Sequence, residues 1–317
     1  MFVLLALLNF SLPQPIIRTA VERSLPRLIN AMSVHIEKKN CFGCHNQGYP
    51  MMAMRSVAQR GFAYDDKAIA PVLEHASDFL ESNKEKLDVG KNIGGGVDTV
   101  GWALAALHHG GRKPDEATAS AVEFLLKIHA DSDHWRPTSN RPPTQGSHFT
   151  STYLAIRGLQ NYANADRKEA AEKRIASAKV WIEKTNAKDN EDRVFKLFGL
   201  HATGADTAKA AKELLGKQRS DGGWGQLDTA ESDPYATGSA LVALHEAGKL
   251  ATDSTEYRKG VAYLLKTQKS DGTWHVKTRS KPIQPYYESG FPYEKDQFIS
   301  GPASSWATAA LALGLRK

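Results

Sequence analysis

The chain has 317 residues, of which 41% are hydrophobic and 24% charged, and its formal net charge is +6. That apolar share fills a sizeable core and excludes a disordered or fibrous chain. The basic residues alternate with acidic ones on helix faces, as in Glu169–Arg174, with no arginine-rich tract or aromatic-interleaved strip, which argues against nucleic acid as a partner.

Residues 1–12 form an apolar run too short to span a bilayer, and no later stretch is long and apolar enough to be a transmembrane span. The run resembles the centre of a secretory signal, although it has no positive start and no clean small-residue cleavage site. Residues 1–20 are therefore expected to be a leader of an exported, periplasmic protein, and residues 21–317 a single domain. A first packing helix is the other reading of the same run.

The rest of the chain reads as helices. Ala, Leu, Glu and Lys recur at three- and four-residue spacing, and β-branched alternation is scarce. The first pair covers about 21–61, an outer helix over Leu25–Lys39 and a short inner one over Met51–Gly61. Between them lies Cys41-Phe-Gly-Cys44-His45, which holds the only two cysteines. This spacing predicts covalent haem c attachment. The two thiols would reach the vinyl groups of one porphyrin edge, and His45 would be the proximal iron ligand. A redox dithiol, a zinc site and an accidental trio are the competing readings. Met51, Met54 and His148 are candidates for the sixth ligand, with core packing the plainer role for the methionines.

Further pairs follow at about 66–111, 115–162, 167–204, 206–248 and 255–315. The first helix of each is long and charged on one face. The second is rich in Ala, Gly, Ser and Thr, as in Val97–Leu107, Thr237–Gly248 and Ser305–Gly314. Six pairs of this kind predict an all-α, (α/α)6 toroid with the small-residue helices inside, and an open superhelix is the alternative. The turns between the helices repeat as well. Gln218-Arg-Ser-Asp-Gly-Gly-Trp224 aligns with Gln268-Lys-Ser-Asp-Gly-Thr-Trp274, and His129 to Trp135 is a degenerate third copy. The Cys-Phe-Gly-Cys-His segment takes the same slot in the first pair.

These turns resemble the repeat of squalene–hopene cyclases and of the prenyltransferase/squalene-oxidase superfamily, over about residues 70–317. The resemblance implies that Gln, Asp and Trp are structural staples. It also implies that class II cyclase chemistry would need an Asp-x-Asp-Asp acid at an inner-helix start. Glu231-Ser-Asp233-Pro234 stands there, so Asp233 is the candidate catalytic acid, but the altered neighbours put proton-initiated cyclisation in doubt. Asp233 as an N-cap ahead of Pro234 is the plainer reading. Asp98 is a second carboxylate at an inner-helix start and a second candidate, again with N-capping as the bland alternative. Zinc prenyltransferase chemistry finds no cysteine ligands outside the first turn.

The expectation drawn from these features is a c-type haem protein on a cyclase-like toroid. It would perform electron transfer or redox chemistry with a partner protein, near a pocket for an apolar small molecule. The alternative is a terpene cyclase- or prenyltransferase-like enzyme, or a binder of isoprenoid-like ligands, without haem. Asp98, His148, Asp233, Tyr235 and Trp306 are expected to share one rim with the Cys-Phe-Gly-Cys-His turn. The aromatic 285–293 segment is expected as a lid or wall facing the 135–147 loop across the mouth.

Overall fold

The computed structural model describes residues 13–64, 66–282 and 285–316. Among the described residues thirteen α-helices carry the fold: α1 Gln14–Lys38, α2 Tyr49–Ala58, α3 Asp66–Ser82, α4 Lys84–Asp88, α5 Gly96–His109, α6 Glu116–Lys127, α7 His148–Tyr162, α8 Lys168–Lys184, α9 Asn190–Ala202, α10 Ala208–Leu215, α11 Pro234–Glu246, α12 Thr255–Thr267 and α13 Gln297–Leu313. No strand occurs among the described residues, only an isolated antiparallel bridge between Arg141 and Gln145. None of the described helices is long and apolar enough to cross a membrane.

The helices form the expected two-layered ring. α2, α5, α7, α9, α11 and α13 pack each on the next around an axis, and α13 packs on α2 to close the circle. The outer helices α3, α6, α10 and α12 are more amphipathic than the inner helices they cover, and each outer helix lies over its inner partner. Small residues at the inner contacts let backbones approach closely: a Cβ on Gly238 would sit 2.7 Å from the backbone of Trp306, so α11 and α13 could not meet as they do with any larger residue there. Closure joins the two ends of the chain. Gln268 Nε2 donates to the Ala20 carbonyl (2.8 Å), and Ser24 Oγ meets Thr308 Oγ1 (2.7 Å).

Two boundaries differ from the sequence reading. α1 begins at Gln14, and Ile17 and Ala20 are buried in the core, so residues 14–20 pack as part of the toroid. The leader reading of residues 1–12 falls outside the described residues. α13 begins at Gln297 rather than near Ser305, because the polar, small Ser300 and Ser304 face the 274–276 segment and accept it by hydrogen bonds to Val276 and Trp274 backbone N–H (3.1 and 2.9 Å).

The repeated turns are staples, as their composition implies. Each Trp donates its indole N–H to the carbonyl ten residues earlier: Trp224 to Leu214, Trp274 to Leu264 and Trp135 to Leu125 (2.8, 2.8 and 2.9 Å). The side chain of Gln218 donates to Gly222 of its own turn and to Glu256 of the next outer helix (2.9 and 2.8 Å). Gln268 does the same with Gly272 and Ala20 (3.0 and 2.8 Å). Gly222 and Gly272 both sit at φ +89°, and a Cβ there would strike the Lys259 or Arg23 carbonyl, so glycine is required twice over.

Candidate functional site

Each inner helix turns one face to the axis, and residues four apart on it stack along that axis. On α5 and α9 the first turn contributes a carboxyl and the next an aromatic ring, whereas α7 contributes a hydroxyl and then an aliphatic side chain. Thus Asp98 leads to Trp102 on α5, Thr150 to Leu154 on α7 and Glu191 to Phe195 on α9.

The polar layer is buried. Asp98 is 1% exposed, and its Oδ1 accepts from the Ser151 hydroxyl while Oδ2 has no partner among the described residues. Burial pushes its carboxyl up to about 7, against the opposing pull of the Ser151 bond. Glu191 accepts from Tyr235 OH (2.9 Å) and Thr150 Oγ1 (3.2 Å), and burial holds its carboxyl well above the usual range. Tyr235 OH meets Tyr49 OH at 3.3 Å. The Tyr49 ring lies 4.2 Å from that of Trp102 and 6.0 Å from that of Trp306. Burial thus shifts both carboxyls toward the protonated form relative to exposed carboxylates.

Beyond these rings an aromatic pocket opens at the other end of the toroid. Trp102, Trp306, Tyr153, Phe195 and Phe198 line it, and Arg55, His108, His109, Arg157 and Glu246 stand at its mouth. Its enclosed volume is about 60 Å³. His108 and His109 are in the last turn of α5, and burial lowers both imidazoles, His109 to about 3.

The rim at the inner-helix starts carries two neighbouring clefts. One, of about 360 Å³, is lined by His45, Arg141, Thr144, Arg279 and Phe298. The other, of about 550 Å³, holds Asp233 together with Gln226, Tyr263, His275 and Arg279. His45 and Asp233 thus open on the same end of the toroid, as expected, but into separate clefts that share Arg279. The 135–147 and 275–296 segments do meet there: Ser280 Oγ donates to the Pro142 carbonyl (2.6 Å), and the Arg141 guanidinium lies 5.3 Å from the Phe298 ring centre.

Asp233 acts as the plain reading has it. Its Oδ1 caps α11 by accepting from Ala236 N–H (3.0 Å), and burial raises its carboxyl to about 6. It does not touch the axial polar layer. Asp98 does, so of the two acids singled out from sequence only this one joins the interior. Tyr235 belongs to the interior too, and Trp306, nine residues into α13, lines the pocket at the opposite end rather than the rim. His148 occupies a third cleft, where its Nδ1 meets His134 Nε2 (2.8 Å).

The first turn does not have the form that haem attachment asks for. Cys41 is exposed and Cys44 buried. The Cys44 sulfur lies 3.6 Å from Thr99 Oγ1 inside the core, and burial pushes its thiol up to about 12. His45 Nε2 is taken by Thr144 Oγ1 (2.9 Å), and burial lowers its imidazole to about 3. Met51 and Met54 are core residues of α2, and neither they nor His148 line the cleft that His45 lines. Among the described residues no group of three His, Cys, Asp or Glu could hold a metal ion. Two thiols that face different environments do not present one porphyrin edge.

Comparison with known proteins points the same way. Residues 193–294 match the squalene-hopene cyclase C-terminal domain. Drimenyl diphosphate synthase of Streptomyces showdoensis is 35% identical over 98 residues, which is 29% of this chain and 17% of that protein, so the chain spans less than a fifth of its curated relative's length. The fold is similar to that of a variant of the type II terpene cyclase MstE from Scytonema, with a TM-score of 0.58 at 13% identity, covering 94% of this chain and 99% of the other. Another variant of that cyclase, in complex with geranylgeranyl dihydroxybenzoate as substrate, aligns with a TM-score of 0.57 at 13% identity over the same shares. A protein from Actinoplanes aligns at 0.57 and 15% identity, covering 94% of this chain and 99% of that one. The matching family model is a squalene-hopene cyclase domain, and the two MstE structures are of a type II terpene cyclase. They overturn the reading of the chain as a cytochrome-like, metal-binding electron-transfer protein with a redox partner, and they favour the cyclase-like alternative.

Glu191 and Tyr49 escaped the sequence reading. The acidic start of α9, Asp189-Asn-Glu191-Asp192, is the available signal, with Phe195 one turn on. It reads as ordinary first-turn acid at a helix N-terminus, and only the closed ring turns Glu191 inward.

Proposed function

We propose that this toroid is terpene cyclase-like: it takes an isoprenoid-like apolar ligand by one chain end into the aromatic axial pocket, and Asp98 supplies the acid for proton-initiated chemistry. The observation that carries this reading is the stacking of the buried Asp98 carboxyl one helical turn from the aromatic layer. A carboxyl poised near 7 is half protonated at neutral pH and still a competent acid. Its proton would pass to an alkene carbon, whose π pair forms the new C–H bond. That leaves a carbocation on the neighbouring carbon and a carboxylate on Asp98. The faces of Trp102, Trp306 and Phe195 suit such a cation, because an aromatic face attracts positive charge. Glu191, fixed by Tyr235 and Thr150, is a positioning residue that holds the hydroxyl layer in register.

The enclosed 60 Å³ is smaller than the roughly 150 Å³ cavity that holds benzene. Entry beyond a chain end therefore requires the Tyr49 and Trp rings to move. The test is incubation with farnesyl and geranylgeranyl alcohols and diphosphates, with products followed by gas chromatography and mass spectrometry. Cyclised product is expected from the wild type and none from Asp98→Asn, with Asp233→Asn retaining activity. Product formation that survives Asp98→Asn would remove Asp98 from this role. The absence of both product and ligand binding in the wild type would remove the whole reading.

A further inference from the structure

The cleft beside His45 has a composition that the axial chemistry does not use. Arg141, Arg279, Lys281 and Lys295 line it, and no carboxylate does so among the described residues. Arg141 is held in place by its own turn, where its backbone N–H donates to Gln145 (2.6 Å) and its carbonyl accepts from Gln145 N–H (3.0 Å). Its guanidinium is half-buried beside the Phe298 ring, and no carboxylate pairs with it among the described residues. Partial burial lowers its pKa, which measures how poorly the surroundings compensate the charge. Arg279 reaches the same space from the other loop, fixed by its Nε bond to Gln226 Oε1 (2.8 Å). A half-buried guanidinium without a carboxylate is costly unless a ligand supplies the anion.

We propose that this cleft is an oxyanion site that binds a phosphate or diphosphate group between Arg141 and Arg279, with Phe298, Ile299 and Pro142 receiving an apolar substituent. Two arginines from opposite loops and two lysines call for more than one negative charge, which favours a phosphoryl group over a single carboxylate. Guanidinium groups match its oxygens by paired N–H donors. The site lies at the inner-helix starts, and the aromatic pocket opens at the other end. It therefore stands independently of the axial chemistry proposed above.

The test is calorimetric titration of the whole protein at low salt with inorganic pyrophosphate, inorganic phosphate and acetate. Pyrophosphate is expected to bind one site most tightly and acetate least. Arg141→Gln is expected to weaken pyrophosphate about tenfold, since charge-assisted pairs are the strong ones, and Arg141→Lys to restore part of the loss. The exposed pair Lys281→Gln with Lys295→Gln gives a second variant that leaves the turn intact, with a smaller and more salt-sensitive loss. Geranyl diphosphate binding more tightly than pyrophosphate would support the apolar wall as part of the site. No binding of pyrophosphate, acetate binding as tightly, or equal affinity in the wild type and in both the Arg141→Gln and the double-lysine variants would overturn the proposal.

Discussion

The turn of the first helix pair and the turns of the last two do the same mechanical job with different chemistry. At 218–224 and 268–274 a Gln amide reaches out to the next outer helix and a Trp closes the connection from within. At 41–48 the reach runs the other way. His75, on the next outer helix, spends Nε2 on the Lys39 carbonyl (3.1 Å) and Nδ1 on the Gln47 amide (3.0 Å). His35 bonds the Cys41 carbonyl (2.8 Å) and Tyr287 OH (2.9 Å). Amide and indole staples have no titratable group, whereas the clamp includes His35, an imidazole whose burial lowers its pKa to about 4 and so favours the neutral ring. The first turn is thus a clamp that depends on pH, and the later turns are not.

The largest expected effect comes from breaking a late staple. Trp224→Ala removes a side chain that is fully buried together with its bond to Leu214, and should cost about 3–5 kcal/mol of stability. Trp224→Phe keeps most of the packing and should cost distinctly less. Chemical denaturation of the two variants separates packing from the hydrogen bond. A loss in Trp224→Ala no larger than that of an exposed substitution would show that these turns do not carry the ring.

That the late turns were legible in the sequence and the interior was not has a physical cause. A staple recurs because each pair needs one, so Gln218, Trp224, Gln268 and Trp274 announce themselves by repetition. The six pairs follow from the same periodicity. The axial layer has no repeat: Tyr49, Asp98, Glu191 and Tyr235 each arise once, on different helices, and meet only when α13 packs on α2. The Cys41 to His45 segment misled for a related reason. Its spacing is local, but whether two thiols face one ligand depends on the helices around them. Here α5 draws Cys44 inward against Thr99 while Cys41 stays outside.

Acidification sharpens the comparison with a smaller, local effect. Burial lowers His35 to about 4 from its ordinary value near 6.5. The folded clamp therefore binds fewer protons than the unfolded chain between these values. Its contribution is complete above about 6.5 and is lost as pH falls toward 4. His45, lowered to about 3, acts in the same direction. Asp98 and Asp233, raised to about 7 and about 6, act in the opposite one, because their folded forms hold a proton that the unfolded carboxyls have released. Global stability should accordingly change little between pH 7 and pH 4, while the first turn loosens. Hydrogen exchange should show the Gln47 and Gly48 amides, both bonded to the Gly43 carbonyl, losing protection over this range, with Gly222 and Gly272 unchanged. His35→Gln should flatten the response. Equal loosening at the early and late turns would refute the distinction.

The smallest effect separates the two cysteines. The clamp uses the carbonyl of Cys41 and not its exposed thiol, so Cys41→Ser should leave stability within about 0.5 kcal/mol of the wild type. Cys44 fills space against Asp98 and Thr99, and Cys44→Ala should cost about 1 kcal/mol through the cavity left behind. Reactivity should divide more sharply than stability. The Cys44 thiol, pushed up to about 12 by burial, has almost no thiolate at neutral pH and no access to reagent. A thiol probe should therefore modify one cysteine at once and the second only as the protein unfolds, and the fast reaction should vanish in Cys41→Ser. Should both thiols react at once in the native protein, the first turn is open where the late turns are closed. The contrast between them would then be one of stability rather than of pH.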